Sequence, residues 1–112
     1  MARRETARQA AEYLRQHYRP GAGIVFPFGD LAGVLRQAGI PLRDGLHEGN
    51  LAAFDAALGR PAFFLREGWV LAYSGDPVAT AVLRANRESV HYRLRKQIIV
   101  KGAPVVEIYR RE

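Results

Sequence analysis

The hydrophobic positions of this chain change period along its length. In residues 3–18, Ala7, Ala10, Ala11, Leu14 and Tyr18 recur at the spacing of one helical face. Arg8, Glu12, Arg15 and Gln16 fall on the other faces, so the segment predicts an amphipathic helix. Pro20-Gly21-Ala22-Gly23 stops it and turns the chain. Ile24 to Phe28 is a short apolar run that reads as a buried strand, with Pro27 suggesting its end or an edge. Asp30 is expected to cap a second helix, because its carboxylate can accept from the free amides of a first turn. Leu31, Val34, Leu35 and Ala38 form that helix's apolar stripe, and Gly39 is a natural left-handed stop.

Residues 42–49 read as a loop carrying the one adjacent His-Glu pair, His47-Glu48. Asn50 caps a third helix with Leu51, Phe54 and Leu58 at helical spacing and Gly59 at its end. Pro61 to Glu67 fits either a strand or a helical turn entered at Pro61. Trp69 to Tyr73 is a second buried strand. Asp76 then caps a fourth helix with Pro77 at its first position, and Val78, Ala79, Val82 and Leu83 are expected to face inward. In the last third the period drops to two. Tyr92, Leu94, Lys96, Ile98 and Val100 alternate with Arg93, Arg95, Gln97, Ile99 and Lys101. The chain turns at Lys101-Gly102-Ala103-Pro104 and returns over Val105 to Tyr109, which predicts a C-terminal hairpin.

Two strand-turn-helix units imply that residues 24–28 and 69–73 pair in parallel through a crossover. The predicted fold is a single α/β domain over residues 1–112. It has a three-layer-like mixed sheet of about four strands, helices on both faces and the C-terminal β-hairpin. No repeat or flexible linker divides the chain.

Composition narrows the chemistry. A chain of 112 residues holds one core, and the absence of cysteine excludes disulfides, thiolate zinc sites and a cysteine nucleophile. No apolar run approaches the roughly 18 residues of a membrane span. The charged start, Met1-Ala2-Arg3-Arg4, does not fit a signal peptide, so a stand-alone chain is expected in the cytoplasm. Lys and Arg number 17 against 11 acidic residues, a net +6 that could attract nucleic acid or anionic headgroups, although the basic residues alternate with acidic ones in the helices and read first as a solvated face. The candidate basic surface is Arg93, Arg95, Lys96, Lys101 and Arg110. Aromatic residues do not interleave with these arginines as a base-stacking platform requires.

The corners Phe28-Gly29-Asp30 and Ser74-Gly75-Asp76 are the most site-like features, since ligands of open α/β sheets lie beyond the carboxyl ends of parallel strands. Each corner already holds a carboxylate on its helix amides, and neither has the glycine spacing of a nucleotide loop. They read as helix caps, or alternatively as a paired-carboxylate rim for sugar hydroxyls or a divalent cation. His47, Glu48 and Asn50 could form a base with its orienting group, but no nucleophile is placed to join them. The binding candidates are therefore Asp30, His47, Glu48, Asn50 and Asp76, with no catalytic residue, metal ligand or cofactor assigned. His17 and His91 lack partners at metal-ligand spacing. Glu107-Ile108-Tyr109-Arg110 departs from a metal-nuclease pattern in having no lysine two residues after the glutamate. Trp69 is most simply core.

Several motifs run in order: Phe28-Gly29-Asp30, Gly39-Ile40-Pro41-Leu42-Arg43, His47-Glu48-Gly49-Asn50, Gly75-Asp76-Pro77-Val78 and Val100 to Arg110. As a set, covering about residues 5–111, this string resembles the C-terminal soluble region that follows the membrane spans in some bacterial glycosyltransferase family 39 proteins. Those are relatives of the polyprenyl-phosphate-mannose protein mannosyltransferases. The resemblance implies a non-catalytic accessory module outside the membrane, with the membrane-embedded portion or an anionic membrane surface as partner. The chain lacks the adjacent Asp-Glu pair of that family's catalytic loop, so no catalytic residue carries over. Two alternatives stand beside it: a small basic nucleic-acid-binding protein using the hairpin cations, and a small hydrolase or nuclease using Asp30, His47, Glu48 or Asp76.

Overall fold

The computed structural model describes residues 2–27, 31–46, 68–88 and 91–112. Helix α1 (Ala2–His17) leads through a glycine turn to strand β1 (Ile24–Val25). Helix α2 (Ala32–Ala38), a 3-10 turn (Leu42–Asp44) and strand β2 (Gly45–Leu46) follow. Strand β3 (Trp69–Tyr73), helix α3 (Pro77–Glu88), and the hairpin of β4 (Tyr92–Ile98) and β5 (Val106–Arg111) complete the described elements.

The sheet order is β2-β1-β3-β5-β4. β1 pairs in parallel with both β2 and β3, whereas β5 is antiparallel to β3 and to β4. The expected parallel neighbours, mixed sheet and terminal hairpin are all present. The short β2 is an addition where the sequence read as a loop over residues 42–49. Two residues with no alternation left no pattern to detect there.

Strand alternation divides the core into two layers. Trp69 and Leu71 of β3 face α1 and α2, where they join Ala10, Leu14, Ile24, Phe26 and Leu35. Val70 and Ala72 face α3, where they join Val78, Val82, Ala85, Tyr92 and Tyr109. The helices thus cover both faces, as the pattern predicted. β1 is shorter than expected, yet Phe26 just beyond it is fully buried. Gly39 ends α2 with φ near +78°, and its amide and that of Ile40 bond back to the Arg36 and Leu35 carbonyls. This is the left-handed stop expected of a glycine there.

Three expectations are corrected. Helix α2 starts at Ala32 with Leu31 in the cap position and no side-chain cap bond, so the start lies beyond the expected Asp30 cap; Asp30 itself is outside the described residues. Leu83 does not face inward; it is 57% exposed. The buried arc of α3 runs through Val78, Ala79, Ala81, Val82 and Ala85 and leaves Leu83 on its flank.

The largest correction concerns β4. Leu94 pairs with Tyr109 but Lys96 pairs with Ile108, so Arg95 is an extra residue, a β-bulge. A single inserted residue reverses the side-chain parity of everything after it. Tyr92 joins the α3 layer, while Ile98 joins the α1 layer. The even-numbered residues of β4 therefore do not share one face as the period-two pattern suggested, and Leu94 is 44% exposed.

Candidate functional site

Of the five binding candidates, Asp30, His47, Glu48 and Asn50 lie outside the described residues. Asp76 is described. Its Oδ1 accepts from the Ala79 amide at 2.8 Å and its Oδ2 from the Tyr73 amide at 3.0 Å, so its carboxylate caps α3 and closes the turn after β3. Burial holds this carboxyl above the ordinary range; the amide bonds oppose that rise and the charge of Glu107 adds to it. Nearby, the Tyr109 hydroxyl donates to Glu107 at 2.7 Å, and burial followed by that bond pushes the tyrosine hydroxyl up. No group of His, Asp and Glu among the described residues could hold a metal ion.

Four arginines occupy the other pole of the sheet. Trp69, at the start of β3, pairs with Arg110, whereas Tyr73 at its end pairs with Val106. Four residue steps, roughly 13 Å, separate the arginine end from the Asp76 end. Arg93, Arg95, Arg110 and Arg111, with Glu112, line an open cleft of about 370 Å³. Arg93 stands directly opposite Arg110 across the β4–β5 ladder. Like charges in that relation cost stability. Two contacts offset part of the cost: Arg93 reaches Glu112 at 3.3 Å, and the Arg110 guanidinium lies over the Trp69 ring, 5.6 Å from its centroid. Trp69 is only 3% exposed, so it steadies Arg110 from below and offers no face for a base to stack on.

The remaining expected cations separate. Lys96, carried across by the bulge, lines a second cleft of about 250 Å³ against α1, with Arg8, Gln9, Glu12, Tyr13 and Gln16. The charges of α1 in that cleft are already spent locally. Arg8 is held on Glu5 by a forked pair of bonds, and Glu12 accepts from Arg15 and Gln16. Lys101 sits in the hairpin turn, at the opposite end of the strand from Arg93. Arg111 was outside the expected set, and its position opposite Tyr92 follows only once the hairpin register is known.

Chemically, this arrangement can bind anions. Planar guanidinium forks around one cleft suit phosphate oxygens, and the described residues there include no nucleophile with a base beside it. No helix among the described residues is long and apolar enough to cross a membrane. The chain matches no protein-family model, no curated protein and no solved structure.

Proposed function

We propose that the chain is a non-catalytic interaction module that docks the basic end of its hairpin on anionic lipid headgroups. The observation that carries this reading is the convergence of Arg93, Arg95, Arg110 and Arg111 on one cleft, with Glu112 as the acidic residue in its lining. A self-repelling Arg93–Arg110 register costs the fold something and is relieved when phosphate enters between the two chains of charge. The likeness of its motif string to the region after the spans of family 39 glycosyltransferases supports a place beside such a membrane portion, tethered outside the cytoplasm. That placement rests on the motif string alone.

The test is co-sedimentation of the full chain with phosphatidylcholine vesicles, with and without phosphatidylglycerol, across a salt series. Binding is expected to the anionic vesicles only and to fall as salt rises. The double variant R95E/R110E is expected to abolish it while leaving the far-ultraviolet circular dichroism unchanged. Equal partition onto neutral vesicles, or no partition onto anionic ones at low salt, overturns the reading. Retention of a duplex oligonucleotide without vesicle binding would replace it with nucleic-acid binding.

A further inference from the structure

Resting on that headgroup reading, we infer that the outer edge of β4 is a membrane-inserting rim, with Leu83, Leu94 and Ile99 entering the acyl boundary of an anionic bilayer. Three observations meet there. First, β4 is an edge strand among the described residues, and five successive residues in it, Arg93 to Gln97, are exposed. Second, the exposed large hydrophobic residues among those described are Leu83, Leu94 and Ile99, at 57%, 44% and 70% exposure. Scattered singly, such residues would need no account. Here Leu94 lies in β4 and Ile99 directly follows it. Leu83 lies on α3 one turn before the residue that ties this helix to the start of the same strand. Asn86, one helical turn later, donates to the Tyr92 carbonyl at 3.1 Å and accepts its amide at 2.7 Å.

Third, each apolar residue is set among cations. Arg84 and Arg87 neighbour Leu83, Arg93 and Arg95 flank Leu94, and Lys101 follows Ile99. Arginine and lysine stems lie along apolar surface while their heads stay among phosphates, which is the pattern of a shallow interfacial anchor. A soluble polyanion would have no use for the leucines. An extended peptide adding to the edge would meet the bulge at Arg95, which disrupts a regular ladder. A bilayer uses both features: the leucines enter, and the exposed Arg93, Arg95 and Lys96 surround Leu94.

The experiment uses the full chain and the same vesicles. The L83Q/L94Q variant is expected to lose about tenfold or more in partition onto anionic vesicles, since each leucine then buries an amide in place of its apolar surface. Its residual binding should be more sensitive to salt than the parent's. Both positions are exposed, so the thermal midpoint should not fall. The native chain has no cysteine, so L94C can carry an environment-sensitive fluorophore, with R36C on the exposed side of α2 as its control. Insertion predicts a blue shift at position 94 on anionic vesicles and none at position 36. If the parent binds and the double variant binds equally well, or if label at 94 stays in water, the rim is refuted and headgroup docking alone survives. If the parent fails to bind anionic vesicles, the headgroup reading falls first.

Discussion

Removing one oxygen, by Tyr18→Phe, tests how the start of the sheet is held. The Tyr18 hydroxyl donates to Asp44 Oδ2 at 2.7 Å and accepts the Gly23 amide at 3.0 Å. The same carboxylate oxygen accepts the Gly21 amide at 2.9 Å. One side-chain pair thus ties together the end of α1, the glycine turn before β1 and the 3-10 turn before β2. The substitution removes a hydrogen bond to a charged acceptor and leaves the Gly23 amide without its partner. Tyr18 and Asp44 are both half-exposed, so water recovers part of the loss. The net expectation is a destabilisation of about 2 kcal/mol. The assay is urea unfolding followed by circular dichroism, with the midpoint falling and the slope unchanged.

The pH dependence has a definite sign. The Tyr18 hydroxyl, and after it the Gly21 amide, hold the Asp44 carboxyl below its ordinary value. The contribution is therefore complete above the unfolded carboxyl's value of about 3.9 and is lost as pH falls through the lower folded value. The gap between parent and Tyr18→Phe should accordingly narrow in acid. A loss below about 0.5 kcal/mol at neutral pH, or a gap that widens in acid, would refute the clamp.

Three further outcomes follow from the packing. A methyl on Gly45 would stand 2.5 Å from Cε1 of the fully buried Phe26 ring, so Gly45→Ala should cost about 1–3 kcal/mol in urea unfolding. Asp76→Ala removes the acceptor for the Ala79 and Tyr73 amides and should cost about 1–2 kcal/mol by thermal melt, with Asp76→Asn costing less. Deleting Arg95 removes the unpaired residue and leaves Ile98 opposite Val106, so it should cost less than Ile98→Ala, which empties a buried site for about 2–4 kcal/mol by thermal melt.

Much of the architecture was legible in the residues because strong local signals agreed with the tertiary result. Trp69 to Tyr73 is a strand bounded by Gly68 and by the Ser74-Gly75-Asp76 turn, and Asp76-Pro77 opens α3 where cap chemistry says it should. Leu83 was misread because a hydrophobic residue next to Val82 fits the inward arc by type, although its angle on the helix puts it on the flank. The arginine cleft was half visible. Cations in the C-terminal strands could be counted, but bringing Arg93 against Arg110 needs the register. Separating Lys96 from its apparent neighbours needs the bulge, for which a run of alternating side chains carries no mark. The acidic rim rested on Asp30, which lies outside the described residues, and on Asp76, whose oxygens serve the backbone.

The lone indole offers an unlabelled readout. Trp69 touches Tyr13 at 6.3 Å and Tyr18 at 6.5 Å between ring centroids, with the Arg110 guanidinium above it. An anion that draws Arg110 away alters a quencher of the chain's single strong emitter, while loosening of α1 alters its aromatic neighbours. Intrinsic emission can therefore report occupancy of the cleft and seating of the first helix from one fluorophore, and a Trp69→Phe variant supplies the dark reference.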